Sequence, residues 1–274
     1  MSDSLTSLIR AVEVADSSNL LLEAVQNLAN ARLEGSIPTL IAALGYNNPG
    51  AAVAAVDGLI QIGEPAVNGL LEQLDGYNYT ARAWAIRALA GIGDPRGLVT
   101  LLGAATADFA LSVRRAAARG LGAMKWHWFP DDLLEIAQEE ALEALLFVAK
   151  DDDEWIVRYS AVVGLQSLAI AISEQHLDWR SQIHAQFEQM TSNDDSWAVR
   201  ARACWAQQQL QESAHLLTPA TEALAATPPA IDWQIIMTKL YERRVEERST
   251  IAEGDPRRYR ELAVAIAQET TDDR

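Results

Sequence analysis

The chain has 274 residues, of which 49% are hydrophobic and 7% aromatic, and its formal net charge is −16 at pH 7. This acidity argues against nucleic acid as a partner, because phosphate backbones are bound by basic patches that displace counterions. The sequence contains no run of about 18 apolar residues and no signal peptide at Met1, so we expect a cytoplasmic protein that is neither inserted in a membrane nor secreted. A single cysteine, Cys204, excludes an intramolecular disulfide, and no Cys/His cluster has the spacing of metal ligands, so no metal is expected.

A small-residue helical segment that ends in Gly or Ala followed by Leu recurs along the chain. Its anchor residues are Leu28, Leu59, Leu89, Leu121 and Leu165, separated by 31, 30, 32 and 44 residues. A period in the thirties with helix-length apolar runs predicts stacked helical hairpins. Since the alternating pattern of β-strands is absent, we expect an all-α, HEAT-like α-solenoid. Such a fold buries its core as a strip between two helix layers, so the length does not imply several globular domains.

Three turn markers separate the predicted helices. Gly35-Ser36-Ile37-Pro38, Gly63-Glu64-Pro65 and Gly93-Asp94-Pro95 each follow one helical pattern and precede the next. Glycine ends a helix in the left-handed conformation, and proline suits the first turn of a helix, where its missing N–H would be unpaired anyway. We therefore expect a glycine cap before each of these turns.

An aspartate followed six residues later by an arginine is a further repeated feature. The pairs are Asp108 with Arg114, Asp152 with Arg158 and Asp194 with Arg200, and Asp75 with Arg82 one residue longer. Each Asp falls in a turn and each Arg in the first turns of the following helix. The pattern predicts a ladder of ion pairs along the stacked repeats, with Asp75 and Asp108 as partners of Arg82 and Arg114.

An acidic block from Asp131 to Glu154 lies where the repeat spacing lengthens to 44 residues. The block contains ten acidic residues and one basic residue, Lys150. Two interpretations stay open for it: a solvated helix face that keeps the protein soluble, or a docking edge for a basic partner.

Arginines are concentrated in the middle repeats. When the repeats are aligned on their leucines, the arginine columns contain Arg82 with Arg114 and Arg87 with Arg119, and Arg115 lies beside the first column. Neighbouring repeats stack about 10 Å apart, so these side chains predict a positive patch on one side of the solenoid. Alternatively they only complete structural ion pairs, because Asp57 occupies the Arg87 column in the preceding repeat.

Aromatic residues cluster near these arginines. Tyr77 and Tyr79 precede the helix that carries Trp84, and Trp126-His127-Trp128-Phe129 follows the helix that carries Arg114. Trp and Tyr offer flat apolar faces with a polar handle, which suits planar, partly charged ligands and also protein interfaces.

Core packing is the competing explanation for the tryptophans. Trp84 and Trp205 lie among alanines, whose small side chains leave gaps, so filling of the core is favoured for both. Trp126 and Trp128 lie at a helix end before Pro130, where burial on all sides is harder, so exposure is favoured for this pair.

No catalytic constellation is evident in the sequence. There is no Gly-rich phosphate loop before a helix and no Gly-x-Ser-x-Gly elbow, and the four histidines lack a nucleophile at a suggestive spacing. Cys204 lies in a helical pattern beside Trp205, where a core role is favoured over that of a nucleophile. The residues alone therefore indicate a binding scaffold whose ligand they do not identify.

Longer segments carry a resemblance to a known family. They are Ile37-Pro38-Thr39-Leu40-Ile41, residues 45–56, Leu74-Asp75-Gly76-Tyr77-Asn78-Tyr79, Arg82-Ala83-Trp84-Ala85-Ile86-Arg87-Ala88-Leu89 and residues 108–117. Over residues 5–205 the chain resembles the E/F-type phycobilin lyases, a HEAT-repeat family, and within them the F subunit of cyanobacterial phycocyanobilin lyase. The resemblance implies a heterodimer with an E-type subunit that attaches an open-chain tetrapyrrole to a cysteine of the phycocyanin α subunit through a thioether. It also implies a place in the cytoplasm near thylakoid-associated phycobilisomes.

The resemblance further implies roles for the central residues. A bilin offers two propionates that arginines can pair with, pyrrole N–H groups that a carboxylate can accept from, and a conjugated face that aromatic rings can cover. The implied bilin-binding residues are Arg82, Arg114 and Arg115 for the propionates, Asp75 or Asp108 for the pyrrole nitrogens, and Tyr77, Tyr79, Trp84 and Trp126 for the walls. Phycocyanobilin is then a substrate and not a permanently bound cofactor. The acceptor thiol is the nucleophile, so we expect catalysis by positioning. Some members of the wider family also isomerise the bilin and carry an adjacent His-Cys pair. No His-Cys dipeptide occurs in this sequence, so the resemblance implies attachment without isomerisation.

The predicted solenoid covers residues 1–217, and residues 218–274 form a C-terminal helical extension or partner-docking tail beyond the resemblance. Residues 239–260 hold seven basic and five acidic side chains, a pattern that suits pairing with the acidic block of another subunit. Two alternatives to the lyase stay open: a noncatalytic adaptor or chaperone for phycobiliprotein assembly, and a lyase homologue with another bilin or acceptor site. An open groove around Tyr77 to Trp128 favours chromophore binding, and a packed one favours the adaptor.

Overall fold

The computed structural model describes residues 2–74, 78–172, 176–215 and 230–250. Within these ranges the chain forms thirteen α-helices and no β-strand. The helices are α1 (Ser2–Glu13), α2 (Ser18–Asn30), α3 (Ile37–Ala43), α4 (Pro49–Ile62), α5 (Val67–Gln73), α6 (Tyr79–Ile92), α7 (Leu98–Ala107), α8 (Leu111–Gly122), α9 (Asp131–Asp151), α10 (Trp155–Ala171), α11 (Leu177–Asn193), α12 (Trp197–His215) and α13 (Trp233–Thr250). None of the helices in these ranges has the length and apolar character needed to span a bilayer.

Consecutive helices pair into hairpins, from α1 with α2 to α11 with α12. The second helix of each hairpin packs against the second helix of the next. These helices make a continuous row, which we call the second row: α2, α4, α6, α8, α10 and α12. The first helices form the other layer, in which α3 contacts α5, α7 contacts α9 and α9 contacts α11. Two layers of stacked helices confirm the predicted all-α solenoid.

The anchor leucines of the sequence repeat lie in the core between the two layers. The buried anchors on α2, α4, α6, α8 and α10 are Leu28, Leu59, Leu89, Leu121 and Leu165. Glycines allow the second-row helices to approach closely, and at the crossing of α8 and α10 a side chain on Gly122 would collide with the carbonyl oxygen of Gly164. Small residues therefore set the spacing of neighbouring repeats, and with it the register of the surface side chains.

Two of the three predicted glycine caps are present. Gly63 and Gly93 end α4 and α6 with φ values of +81° and +67°. After α2, however, the residue with positive φ is Arg32, at +50°, and Gly35 belongs to the short 3₁₀ turn Glu34–Ser36. The predicted cap is wrong at this site because α2 ends too early for Gly35 to reach the cap position.

The longer spacing between two anchors is taken up by α9 and the turn before it. α9 is 21 residues long, and the 3₁₀ turn Trp126–Trp128 precedes it. The acidic block runs along α9 and into the turn that follows it. Most carboxylates of the block are exposed, and Glu140 on α9 is buried. A role of this block in docking a basic partner stays a prediction.

The chain divides into two compact units, Met1–Ile231 and Asp232–Arg274. The boundary predicted between residues 217 and 218 lies outside the described ranges and stays a prediction. In the second unit the structure describes α13, on which Ile235, Tyr241 and Val245 are exposed.

Candidate ligand-binding face

A ladder of ion pairs joins successive repeats at the starts of the second-row helices. The pairs are Arg82 Nη1 with Asp108 Oδ2 at 2.6 Å, Arg114 Nε with Asp152 Oδ2 at 2.7 Å, and Arg158 Nε with Asp194 Oδ2 at 2.8 Å. Arg114 and Arg158 bind their carboxylates through two nitrogens, since Nη2 reaches the second oxygen at 3.1 and 3.0 Å. The predicted ladder is confirmed for these three arginines. The predicted pair of Asp194 with Arg200 is wrong, because Arg200 Nε donates to the Thr191 carbonyl at 2.9 Å and Asp194 pairs with Arg158.

Each aspartate of the ladder also holds the start of the helix that follows it. Asp108 Oδ1 accepts from the Ala110 N–H at 2.9 Å, and the Asp108 carbonyl accepts from Arg114 Nη1 at 2.9 Å. The hydrogen bond to Asp152 raises the pKa of Arg114 above its ordinary value, although burial lowers it. The ladder groups therefore satisfy one another's hydrogen-bonding capacity.

The ladder corrects the partners that the sequence suggested. Arg114 reaches Asp108 only through the backbone carbonyl, and its carboxylate partner is Asp152 of the next repeat. The Asp108 carboxylate pairs instead with Arg82, and its side chain is 1% exposed. The reason is geometric: the Arg side chains extend along the stack toward the following turn. Three of the implied bilin-binding residues thus have partners within the protein.

Other implied bilin-binding residues cannot be placed or are buried. Asp75 and Tyr77 lie outside the described residues, and Tyr79 begins α6 with a side chain that also lies outside them. Trp126 and Trp128 are only 7% and 8% exposed. The expectation that this pair stays exposed is therefore wrong.

Burial of Trp126 follows from its neighbours at the end of α8. Its Nε1 donates to the Gly122 carbonyl at 3.4 Å, and its ring centroid lies 5.3 Å from that of Phe129. The hydrogen bond fixes the indole against the end of α8, and the Phe129 ring packs against it. The 3₁₀ turn Trp126–Trp128 thus buries Trp126, although its position at a helix end before Pro130 predicted exposure.

A second face of the same helices is open and carries further arginines. Arg115 and Arg119 on α8 are exposed and, four residues apart, share one face of the helix. On α6 the guanidinium carbon of exposed Arg87 lies 5.3 Å from the ring centroid of half-buried Trp84. Within the described ranges these three arginines form no ion pair, and Arg87 does not pair with Asp57. The interpretation in which Arg87 and Arg119 only complete a ladder is wrong for this part of the chain.

The open face continues onto α10 and α12. Arg202 Nη2 donates to Gln166 Oε1 at 2.6 Å. Its guanidinium carbon lies 4.6 Å from the ring centroid of Trp205 and 6.0 Å from that of Tyr159. We call the whole surface the arginine–tryptophan face; it consists of Trp84, Arg87, Arg115, Arg119, Tyr159, Gln166, Arg202 and Trp205.

The prediction that Trp205 fills the core is wrong. This side chain is 49% exposed, on the same side of α12 as exposed Ala201 and Gln208, because residues three or four apart share a helix face. Trp84 packs partly against the core of the first repeats, so core filling holds in part for this residue.

Charge is segregated onto this row of helices. α6, α8, α10 and α12 carry eight arginines and one acidic residue, Glu212, in a chain of net charge −16. α9 in the other layer carries seven acidic residues and one lysine. A positive face lined with aromatic rings attracts anions that have a flat apolar body.

The face is suited to binding and orienting a ligand. In the part of the chain that the structure describes, no group of His, Cys, Asp and Glu side chains is arranged to hold a metal ion. Cys204, half-buried on α12, accepts a hydrogen bond from Gln208 Nε2 at 3.9 Å. The groups that this face presents are guanidinium groups and ring faces, which suit a planar anion.

Sequence reasoning missed half of this face, namely Tyr159, Gln166, Arg202 and Trp205. A signal for one of them was present in the sequence, because Arg202 follows Arg200, a predicted ladder position, by two residues, as Trp84 follows Arg82. Alignment on the ladder arginines, in place of the leucines, puts Arg202 in the Trp84 column.

Comparison with known proteins gives concordant matches. A family model described as HEAT repeats matches residues 67–166. The chain is 63% identical to phycocyanobilin lyase subunit beta of Pseudanabaena tenuis, over 98% of this chain and 99% of the relative. It is 50% identical to phycocyanobilin lyase subunit beta of Nostoc sp. PCC 7120, over 74% of this chain and 98% of the relative. A solved structure of the complex of CpcE and CpcF of phycocyanin lyase from Nostoc sp. PCC7120 matches with 51% identity and a TM-score of 0.58, covering 63% of this chain and 98% of that chain.

Proposed function

Since the chain belongs to the family of phycocyanobilin lyase beta subunits, we propose that it is one subunit of a heterodimeric phycobilin lyase. In this role it binds an open-chain tetrapyrrole, phycocyanobilin, and directs its thioether attachment to a cysteine of the phycocyanin α subunit. The proposed partner is an E-type subunit, a pairing supported by the solved complex of CpcE and CpcF. A relative named phycocyanin alpha phycocyanobilin lyase CpcF, from Synechocystis, supports the α subunit as acceptor at 57% identity. The proposed compartment is the cyanobacterial cytoplasm.

The observation that carries the proposal is the arginine–tryptophan face. A bilin has two propionates and a long conjugated face, and these features require cationic groups beside flat apolar surfaces. Arg87 and Arg119 are exposed without a carboxylate partner among the described residues, and Trp84 lies beside Arg87. The face thus offers charge and ring surface that the fold itself does not use.

The implied bilin-binding residues divide accordingly. Arg115 and Trp84 lie on the arginine–tryptophan face, and we propose that they contact the bilin. Arg82, Arg114 and Asp108 hold the ladder, so their proposed effect on the bilin is exerted through the position of the helices. Asp75, Tyr77 and Tyr79 stay predictions, and buried Trp126 supports the end of α8.

The proposed mechanism is positioning of a reactive substrate. The thiol sulfur of the acceptor cysteine adds to the exposed ethylidene carbon of the bilin, and the thiol proton passes to the neighbouring ring carbon. No group leaves, so the lyase has to hold the bilin, present the ethylidene and exclude other directions of attack. Phycocyanobilin is therefore a substrate in this proposal and not a resident cofactor.

Co-production in a heterologous cell tests the proposal. The chain, an E-type partner, phycocyanobilin and the phycocyanin α subunit are produced together, and covalent chromophore is scored by fluorescence in a denaturing gel. Adduct is expected only when the chain is present. The double variant Arg87→Gln/Arg119→Gln should reduce the adduct by about tenfold or more, whereas Arg10→Gln, at an exposed position of α1, should not reduce it.

The same experiment tests the adaptor alternative. If adduct forms equally well without the chain, the lyase assignment fails, and a noncatalytic assembly role replaces it. If adduct requires the chain but forms only with another bilin or on another acceptor cysteine, the chain is a lyase with a different specificity.

A further inference from the structure

Arg202 lies on α12, the last helix of the second row, and has no counterion among the described residues. Its Nη2 donates to the neutral side chain of Gln166, and its Nη1 is buried without a hydrogen-bond partner among the described residues. The Trp205 ring lies 4.6 Å from the guanidinium carbon. Burial of a guanidinium nitrogen without a partner is costly, so an anionic group beside Arg202 would be stabilised by this uncompensated charge.

A second arginine adds to this imbalance of charge. Burial lowers the pKa of Arg202 below its ordinary value; the Tyr159 side chain opposes this shift, and the charge of Arg119 adds to it. Arg119 lies on α8, is exposed, and has no ion pair within the described ranges. In the ladder, by contrast, every arginine from Arg82 to Arg158 has a carboxylate at hydrogen-bond distance.

We infer that Arg202 and Arg119 form a carboxylate subsite that holds a propionate of the tetrapyrrole, with the exposed ring of Trp205 beside the bilin. This inference rests on the proposed function and adds to it the residues and the substrate group that meet. The positive charge of the Arg202 guanidinium, which no carboxylate neutralises among the described residues, attracts the carboxylate, and exposed Arg119 supplies the second positive group. Gln166 holds the guanidinium in place through Nη2, so the subsite is oriented before the ligand arrives.

A carboxylate matches this arrangement better than a neutral group does. Guanidinium and carboxylate form charge-assisted hydrogen bonds, which are about twice as strong as neutral ones. The Trp205 face covers an apolar body beside the charge, whereas an inorganic anion has no apolar body to cover. A molecule with a carboxylate on a flexible arm next to a conjugated plane meets both requirements.

Esterification of the ligand tests the subsite. The complex of the full chain with its E-type partner is titrated with phycocyanobilin and with its dimethyl ester, and binding is followed by the absorbance of the bilin. The wild-type complex should bind the free acid about tenfold or more tightly than the ester. In Arg202→Gln and in Arg119→Gln the preference for the free acid should shrink strongly. The variants lose the charge that pairs with the carboxylate of the acid, whereas binding of the uncharged ester does not depend on that charge.

The other outcomes separate the subsite from the function. Equal binding of acid and ester by the wild type, or an unchanged preference in both variants, overturns the subsite and leaves the proposed function intact. Binding of neither ligand by the wild-type complex overturns both. If Arg202→Gln dissociates the heterodimer and leaves the preference for the acid intact, its counterion is an acidic side chain of the partner and the inference is wrong. Arg119→Gln keeps the test valid if Arg202→Gln does not fold, and Arg10→Gln serves as the matched control.

Discussion

The ladder and the arginine–tryptophan face use one residue type on the same helices in opposite ways. In the ladder, Arg158 binds both oxygens of Asp194, and that aspartate also accepts from the Ser196 N–H. On the face, Arg202 donates to a neutral amide and lies against aromatic rings, and the charged side chain that acts on it is the like charge of Arg119. The comparison teaches that the location of the counterions, more than the number of arginines, distinguishes a structural cation from one that is available to a ligand.

The largest effect is expected when a ladder carboxylate is removed. Asp152→Ala leaves Arg114 without its counterion and removes the acceptor for the Glu154 N–H. We expect the free energy of unfolding to fall by about 3 kcal/mol, because the pair is largely buried. Urea denaturation followed by circular dichroism measures the change. Asp153→Ala, at an exposed neighbouring position, should change stability by less than about 0.5 kcal/mol, and an equal loss in both variants would contradict the ladder's role.

A change at the crossing of α8 and α10 should disturb both regions together. In Gly122→Ala the new methyl group meets the backbone of Gly164, so the helices must move apart, at a cost of about 2 kcal/mol. Bilin attachment should fall as well, since Arg119 lies on α8 and Arg202 is held by Gln166 of α10, so a wider crossing separates the two arginines.

Gly103→Ala is the matched control for the crossing, because nothing lies within 4 Å of an added methyl group there. This variant should be about 0.5 kcal/mol more stable than wild type, since alanine favours a helix interior. Thermal unfolding and the co-production assay provide the two readouts. Gly122→Ala with the stability of Gly103→Ala would show that the crossing does not set the register.

A smaller effect of opposite sign is expected on the face. Arg202→Met removes a desolvated charge that lacks a counterion and keeps much of the side-chain volume, so the free energy of unfolding should stay unchanged or rise by up to about 1 kcal/mol. Arg158→Met should lose about 3 kcal/mol, because Asp194 then keeps an unpaired charge. Parallel denaturation curves of the two variants provide the measurement. Equal losses would mean that Arg202 is as structural as Arg158.

The smallest effect concerns the dependence of stability on pH. Burial raises the pKa of Asp194, but the hydrogen bonds from Arg158 and from the Ser196 N–H, with the Arg158 charge, outweigh burial and lower the pKa below its ordinary value. An unfolded Asp takes up its proton near pH ~3.9, and the folded one does so at lower pH. This contribution to stability is therefore present above about pH 4 and is lost as the pH falls through the folded pKa.

Asp194→Asn tests this sign. At pH 7 the variant should be less stable than wild type, and the difference should narrow as the pH is lowered from 5 to 3, as measured by urea midpoints at each pH. Asp195→Asn, at the exposed neighbouring position, should keep the wild-type dependence. A difference between Asp194→Asn and wild type that is constant with pH would contradict the lowered pKa.

Much of the fold was predictable because its signals are local. The leucine period identified α2, α4, α6, α8 and α10, and Gly63 and Gly93 end helices where the turn markers place them. The existence of the ladder also followed from sequence, since an Asp in a turn and an Arg six residues later recur with each repeat. Only about half of the arginine–tryptophan face followed, because Arg202 and Trp205 come from a repeat that the leucine alignment did not reach.

The sequence by itself determined the period, the helical class and the presence of arginines and tryptophans in excess of what a plain repeat needs. Tertiary structure alone decided which of these side chains have a partner within the protein and which are buried. Whether Arg114 pairs with Asp108 or with Asp152 depends on the stacking of the next repeat, and whether Trp126 or Trp205 is buried depends on neighbours from other turns and helices. Periodicity is encoded within one helix, whereas burial and charge pairing arise only when helices distant in sequence come into contact.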